Sequence, residues 1–170
     1  MPRLNRDFFM KDAVTVAQLL PGKAMVMASG EKPGRYTITE TEAYLGVDDR
    51  ACHASKGRTG RTEPMYLEGG HLYLYFVYGM HWMMNVVTGP ADYPQAVLVR
   101  GVMTFSGPGR VTRGLGIDGS FNREDLAASH RIWIEDEGIR PELTAGPRVG
   151  INYAGEPWVS KPWRFIIRNK

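Results

Sequence analysis

Cysteine and long apolar runs are scarce in this chain of 170 residues. Its one cysteine, Cys52, excludes an internal disulfide and a zinc site made from several cysteines, and we expect it to be a small buried apolar residue. No uncharged apolar run reaches the roughly 18 to 20 residues of a membrane span, and the first residues lack the apolar stretch of a signal peptide. We therefore expect an intracellular protein, in the cytoplasm or nucleoid of a bacterium or the nucleus of a eukaryote.

Lysine is also rare among the basic residues. The 21 basic side chains outnumber the 18 acidic ones and give a formal charge of +3, which permits a polyanionic partner without demanding one. Arginine dominates the basic set and binds phosphate in a bidentate way better than lysine does, although surface ion pairs explain single arginines equally well. An apolar fraction of 43% and a charged fraction of 23% are typical of a folded domain, and we expect one domain over residues 1–170.

The first half of the chain contains signals for one helix and a hairpin. We predict a helix over 13–20, with Asp12 as its N-cap and Pro21-Gly22 as its stop. Strands over 23–29 and 35–44 flank a turn rich in Gly and Pro. The polar segment 47–70 is too long for a plain connection, so we expect a functional surface loop there.

Aromatic and β-branched residues dominate the next segment and favour strands. Further predicted elements are two antiparallel strands within 71–88 that meet near 78–81, a strand over 96–102, a helical turn after the loop 106–109, a short helix near Asn122, and strands over 131–135 and 163–168. Strands and helices do not alternate regularly. The predicted class is therefore α+β, with a mostly antiparallel curved sheet, flanking helices and a protruding β-hairpin.

Two carboxylates lie two residues apart on the strand 35–44. Alternation places Glu40 and Glu42 on one face, together with Tyr36, Ile38 and Tyr44. At this spacing one carboxylate can have a raised pKa while the other stays ionised, which suits a general base toward water. The alternative is that both glutamates are exposed strand residues paired with arginines.

The aromatic segment predicts two faces with different roles. Tyr73, Tyr75 and Val77 point one way, whereas Leu72, Leu74, Phe76 and Tyr78 point the other way. A tyrosine at a hairpin tip beside Gly79 and Met80 has little to pack against, and apolar wedges of this kind separate base steps in DNA. The alternative is that the whole segment belongs to the core.

Two isolated polar residues are further candidates. His53 has no partner at metal-ligand spacing, so stacking or hydrogen bonding explains it better than a zinc site. Arg100 ends an apolar run; if it is buried, it needs a partner such as Glu42 or a phosphate, and otherwise it is exposed at the strand end.

Several motifs carry a family resemblance when they are taken together and in order. They are Ile-Thr-Glu-Thr-Glu-Ala-Tyr-Leu-Gly at 38–46, Cys-His at 52–53, Tyr-Leu-Tyr-Phe-Val-Tyr-Gly-Met at 73–80, Asn85, Val-Leu-Val-Arg at 97–100, Ser-Gly-Pro at 106–108, Leu-Gly-Ile-Asp at 115–118, Ser-Phe-Asn at 120–122, Asp-Leu at 125–126, Pro-Arg-Val-Gly-Ile at 147–151 and Lys-Pro-Trp-Arg-Phe at 161–165. In this order and spacing the chain resembles the alkyladenine (methylpurine) DNA glycosylase family from about residue 4 to residue 168.

The resemblance implies an enzyme of base excision repair. Such an enzyme flips an alkylated or deaminated purine out of double-stranded DNA and hydrolyses its N-glycosidic bond, with no metal or other cofactor. We expect a monomer whose partner is duplex DNA. By the same resemblance Glu42 is the general base that activates water, and Arg100 helps to hold that water and the DNA backbone.

The resemblance also implies binding roles. Tyr44, His53 and Tyr75 look like walls of a base pocket, with the His53 amide donating to the purine edge. Asn85 resembles a residue that clashes with the amine of normal guanine, and Tyr78 resembles the wedge that fills the gap in the duplex. Further candidate DNA contacts are Arg61, Met80 and Arg110.

Some positions depart from the family pattern. Gly60-Arg61-Thr62-Glu63 lacks the usual Pro before Arg and Asn after it, and His81 and Trp82 replace commoner aromatic residues. Two other functions stay open from the residues alone. A glycoside hydrolase would use Glu40 and Glu42 as a carboxylate pair, and a non-catalytic nucleic-acid binder would use the aromatic strands for stacking.

Overall fold

An antiparallel sheet of eight strands is the framework of the computed structural model, which describes residues 2–169. The strands are β1 (Ala24–Met27), β2 (Gly34–Leu45), β3 (Leu72–Val77), β4 (His81–Val87), β5 (Gln95–Val102), β6 (Ile132–Glu135), β7 (Leu143–Gly146) and β8 (Arg164–Ile167). Their order is β3-β4-β5-β2-β1-β6, and β8 pairs with both β2 and β7. The sheet curls into a half-barrel, which confirms the predicted α+β class.

Short helices flank this sheet. They are α1 (Arg6–Phe9), α2 (Ala13–Leu19) and α3 (Pro108–Leu115), and the 3₁₀ turns are His53–Lys56, Glu63–Tyr66, Gly119–Phe121 and Asn152–Ala154. The predicted cap of α2 is confirmed, because the Asp12 carboxylate accepts a hydrogen bond from the amide of Thr15 at 3.0 Å. None of the helices within residues 2–169 combines the length and apolar character that crossing a membrane requires.

One predicted element differs from the structure, and two short elements were not predicted. The short helix expected near Asn122 is instead the 3₁₀ turn Gly119–Phe121, which the Asp118 carboxylate caps at the amide of Ser120. Asn122 follows that turn, and its side chain accepts a hydrogen bond from the Leu74 amide on β3. The helix α1 and the strand β7 are not among the predicted elements, and each is only four residues long.

The main core lies between one face of the sheet and the helices. Val16 and Ala17 of α2 are fully buried there, in the same cluster as Leu72 and Leu74 of β3. Tyr73, which comes between the two leucines, belongs to a second cluster on the other face. The predicted alternation along β3 is therefore confirmed, and it gives the sheet one apolar face and one face that lines a cavity.

The hairpin of β3 and β4 protrudes, as predicted, and ends in a tight turn. Tyr78 and Gly79 both have positive φ, at 54° and 62°, and the Met80 amide donates to the carbonyl of Val77. This is the geometry of a type I′ turn, which matches the twist of the two strands. The turn leaves the Tyr78 side chain 87% exposed at the tip.

The polar segment 47–70 is buried in part, whereas residues 56–61 within it are exposed, as expected of a surface loop. Asp49, Cys52, Ala54 and Met65 are all buried within it. Cys52 is 2% exposed, which confirms that it is a small buried residue, and this burial raises the pKa of its thiol to about 12. The segment therefore packs onto the sheet and forms one wall of the cavity.

Candidate active site

An open cavity of about 140 Å³ lies on the face of the sheet opposite the main core. Strands β2 to β5, the segment 47–70 and the loop 149–153 surround it. Six of the predicted site residues line it: Glu42, Tyr44, His53, Tyr75, Asn85 and Arg100. The fold thus brings together predicted residues that lie up to 58 positions apart in the chain, from Glu42 to Arg100.

A β-bulge decides which residues of β2 face this cavity. The register against β5 shifts between Ile38 and Glu40 and again between Glu40 and Thr41. Ile38 and the partly buried Tyr36 therefore pack in the main core, so the prediction that they share a face with Glu40 and Glu42 is wrong. The extra residue Thr39 reverses the alternation, since a bulge inserts one unpaired residue into a strand.

Glu42 is completely buried, and three groups surround its carboxylate. One oxygen accepts from the Tyr44 hydroxyl at 2.9 Å, and the other accepts from the Val149 amide at 2.6 Å. An Arg100 nitrogen lies 3.7 Å from the first oxygen. Burial raises the pKa of Glu42, while Arg100 and the two hydrogen bonds oppose that rise. The result is a carboxylate with enhanced affinity for a proton at the edge of a cavity, which suits a general base.

Glu40 has different surroundings from Glu42. Its Oε1 accepts from Arg164 Nε at 2.7 Å and from Arg100 Nε at 3.2 Å, and it is not among the cavity-lining residues. The pairing with arginines that the alternative expected thus holds for Glu40, although Glu40 is buried and not exposed, whereas Glu42 faces the cavity. Arg100 contacts both glutamates, so of the two outcomes open for it from the sequence the paired one holds, with Glu40 as a second partner.

Aromatic rings form the walls of the cavity. The ring of His53 lies 4.4 Å from that of Tyr75, centroid to centroid, and its Nδ1 is 3.0 Å from the Tyr73 hydroxyl. Burial, with the charge of Arg61 nearby, lowers the pKa of His53 to about 4, so the ring is neutral at pH 7. The side-chain NH₂ group of Asn85 donates to the backbone carbonyl of Tyr73 at 3.3 Å. Such a cavity suits a flat ring system that stacks and accepts a few hydrogen bonds.

The other predicted residues lie outside the cavity wall. Tyr78 and Met80 are exposed at the hairpin tip, at 87% and 69%. The guanidinium of Arg61 lies 5.5 Å from the Tyr75 ring centre, and Arg110 is exposed on α3, two residues after the cavity residue Pro108. Neither arginine has a carboxylate within salt-bridge distance among the residues that the structure describes.

Sequence reasoning missed one side of the site. Val149, Ile151 and Tyr153 line the cavity, and buried Arg148 and Asp49 lie behind it. The motif 147–151 marked this loop, but nothing in its residue types indicated a role. Only the fold brings the Val149 amide onto Glu42, 107 positions earlier in the chain.

No group of three metal-ligating side chains occurs within residues 2–169. His53, in particular, interacts with Tyr73 and Tyr75 as described above. The observed contacts of this histidine are therefore edge-on aromatic contacts and a hydrogen bond, so the predicted hydrogen bonding is seen but the rings are not stacked face to face.

The raised pKa of Glu42 predicts a pH-dependent effect of Glu42→Gln on stability. Because the pKa of Glu42 is raised in the folded protein, the folded state binds this proton more tightly than the unfolded chain does. The resulting contribution to stability is fully present below the ordinary pKa of 4.5 and is lost as the pH rises through the folded-state pKa. Glutamine stays uncharged throughout. Urea unfolding between pH 4 and pH 8 should show the difference in free energy of unfolding moving in favour of the variant as pH rises. A difference that stays constant with pH would contradict the raised pKa.

Comparisons with known proteins agree on one family. A sequence profile described as methylpurine-DNA glycosylase (MPG) matches residues 7–106 and 103–170. Relatives in three organisms carry the name "Putative 3-methyladenine DNA glycosylase". The one in Borrelia garinii subsp. bavariensis is 41% identical, with 98% of this chain and 96% of the relative aligned. Those in Methanocella arvoryzae and Anaeromyxobacter dehalogenans are 38% and 40% identical, with 99% and 98% of this chain and 94% and 84% of the relatives aligned.

Proposed function

Because the chain belongs to the methylpurine-DNA glycosylase family, we propose that it excises alkylated or deaminated purines from duplex DNA by hydrolysis of the N-glycosidic bond. The observation that carries the proposal is the buried Glu42, which has a raised pKa and faces a cavity walled by aromatic rings. The product is DNA with an abasic site, which starts base excision repair.

In the proposed reaction, Glu42 accepts a proton from a water molecule that attacks the sugar carbon as the base departs. Desolvation strengthens this carboxylate as a base, and Arg100, 3.7 Å away, keeps it ionised and helps to hold the water. One carboxylate suffices for a cationic alkylated purine, whose glycosidic bond is already weakened. Within residues 2–169 the cavity lining holds no second carboxylate that could protonate a neutral base.

Tyr44, His53 and Tyr75 are proposed to stack on the flipped base. Electron-rich ring faces attract a cationic purine by cation–π interaction, and neutral His53 adds no repulsive charge at pH 7. Asn85, buried at the cavity wall, is proposed to exclude the exocyclic amine of normal guanine. Selection thus combines ring stacking with a steric limit.

Exposed basic side chains support a DNA-binding surface around the cavity. Arg50 precedes the lining residue Ala51, while Lys56 and Arg61 belong to the same loop as His53. Arg110 and Arg113 are exposed on α3, which begins at the lining residue Pro108. Unpaired cations of this kind bind phosphates and make affinity fall with salt.

The contacts of Glu40 weigh against the glycoside hydrolase. Two cooperating carboxylates must both reach the scissile bond, but Glu40 is held by Arg100 and Arg164 and does not line the cavity. A non-catalytic nucleic-acid binder would have no use for the buried carboxylate of Glu42 with its raised pKa.

Single-turnover base release tests the proposal directly. Duplexes that contain either hypoxanthine or a methylated purine are incubated with excess protein, and abasic sites are measured as cleavage by alkali. We expect release from at least one lesion duplex and none from an undamaged duplex. No release from either lesion duplex, with DNA binding intact, would identify a non-catalytic binder instead.

The exposed hairpin tip predicts an effect of Tyr78→Ala on base flipping. A ring inserted into the duplex replaces stacking worth about 1–3 kcal/mol per base, so its loss should reduce the equilibrium for flipping by roughly tenfold. The change in 2-aminopurine fluorescence beside the lesion reports this equilibrium. Tyr93→Ala, which removes another exposed tyrosine outside the hairpin, is the control. Equal signals from the two variants would show that Tyr78 is not the wedge.

A further inference from the structure

We propose that Arg148, paired with Asp49, is a positioning residue that holds Glu42 for the reaction through Tyr44 and the backbone amide of Val149. The inference rests on the function proposed above. Within the described residues Arg148 makes no hydrogen bond or ion pair with Glu42 itself, and it does not line the cavity.

The Arg148–Asp49 pair is completely buried. Both side chains have 0% exposure, and the guanidinium binds the carboxylate in a bidentate way at 2.6 and 3.0 Å. Arg148 also donates to the carbonyl of Ala43 at 3.0 Å, which lies on β2 next to Glu42. A bidentate pair of this kind fixes the orientation of both partners.

Asp49 extends this arrangement to the rest of the site. Its two oxygens also accept from the amides of Leu45 and Ala51, each at 3.0 Å. The pair therefore joins three segments, which are the end of β2, the loop that carries His53 and the loop 147–153. A contact that joins three segments suits a positioning role, because no segment can shift without disturbing it.

The first connection to Glu42 passes through Tyr44. The guanidinium of Arg148 lies within cation–π distance of two aromatic rings, 5.0 Å from the centre of Tyr44 and 4.9 Å from that of Trp163. This contact helps to fix the Tyr44 ring, whose hydroxyl donates to one Glu42 oxygen at 2.9 Å. Arg148 thereby sets the position of one donor to the carboxylate.

The second connection passes through the chain itself. Val149 directly follows Arg148, and its amide donates to the other Glu42 oxygen at 2.6 Å. Both hydrogen bonds to Glu42 thus come from groups that Arg148 holds. The charge of Arg148 itself also lowers the Glu42 pKa, and a lysine at this position would retain that charge; the other charged or titratable groups that act on Glu42 are Arg100, Tyr75 and Tyr153.

Arg148→Lys tests the proposal, because it keeps the charge but loses the bidentate and planar contacts. The readout is the pH profile of single-turnover base release, with affinity for the lesion duplex measured in parallel. We expect an unchanged affinity, a fall of the maximal rate by tenfold to a hundredfold, roughly the effect of a misplaced reacting group, and an acidic limb moved to higher pH. The limb moves because the Val149 amide lowers the Glu42 pKa and its contact is loosened.

Arg131→Lys is the matched control. Its guanidinium also combines a carboxylate, Glu124 at 3.0 Å, with an aromatic ring, Phe121 at 3.8 Å, but it lies outside the cavity. We expect this variant to keep the wild-type limb. If Arg148→Lys only lowers the amount of folded protein, its limb will also stay at the wild-type pH, and the positioning role is overturned.

Val149→Pro covers the case in which Arg148→Lys does not fold. Proline removes the amide donor, and its ring suits the first central position of a turn whose second central residue is Gly150, at φ 73°. The acidic limb of its pH profile should lie at higher pH than that of Val149→Ala, which keeps the backbone amide. Equal limbs in these two variants would overturn the proposal, whereas absence of base release by the wild type would overturn the proposed function itself.

Discussion

Glu42→Gln should bind a lesion-containing duplex with nearly wild-type affinity and release the base about 10²–10⁴ times more slowly, since this is the usual contribution of a general base. Glutamine matches glutamate in shape. Its carbonyl can still accept from the Val149 amide, and its NH₂ group can donate to the Tyr44 oxygen. The change therefore removes the proton acceptor and leaves the cavity intact.

Single-turnover kinetics and a fluorescence anisotropy titration measure the two quantities separately. Glu40→Gln is the matched control, as it makes the same chemical change two positions earlier on the face that contacts Arg100. We expect a much smaller loss for it, because Glu40 does not line the cavity. Near wild-type turnover by Glu42→Gln would exclude Glu42 as the base. An equal loss in both variants would favour a pair of cooperating carboxylates.

Local patterns predicted the strands around the site well. Alternation along β3 separated Tyr73 and Tyr75 from Leu72 and Leu74, because side chains on a strand point to opposite faces whatever the rest of the fold does. The turn residues that follow Val77 likewise indicated the hairpin tip. These features depend on neighbours in the sequence, and the structure confirms them.

The bulge at Thr39 illustrates what such patterns cannot give. Nothing in the residues 38–42 indicates that one residue is unpaired, since a bulge depends on the register with β5, a strand about 60 positions later. Simple alternation places Ile38 on the face of Glu40, whereas in the structure Ile38 packs in the main core. Side-chain alternation is reliable only as far as the register is known.

Local sequence patterns cannot predict the Arg148–Asp49 pair, for a similar reason. Its members are 99 positions apart in the chain, and each belongs to a loop whose residue types suggest exposure. Burial of an ion pair depends on how the two loops pack. The family resemblance marked the segment that contains Arg148, but the contact itself required the fold.

Asp49→Ala should destabilise the fold by about 3–5 kcal/mol, the usual effect of leaving one member of a buried ion pair without its partner. Arg148 would keep only carbonyl partners, Ala43 at 3.0 Å and Trp158 at 3.4 Å. The amides of Leu45 and Ala51 would lose their acceptor as well. The midpoint of urea unfolding measures the effect.

Two further variants test whether the unpaired charge of Arg148 causes the loss of stability. Glu142→Ala breaks the exposed pair with Arg168, at 4.0 Å, and should change the free energy of unfolding by at most about 1 kcal/mol. The double variant Asp49→Ala/Arg148→Met removes both buried charges and should recover part of the loss, because apolar residues often replace a buried ion pair without destabilising the fold. If the double variant is as unstable as Asp49→Ala alone, the lost amide acceptors explain the effect. If it recovers stability but releases the base slowly, the pair serves to position Glu42 more than to stabilise the fold.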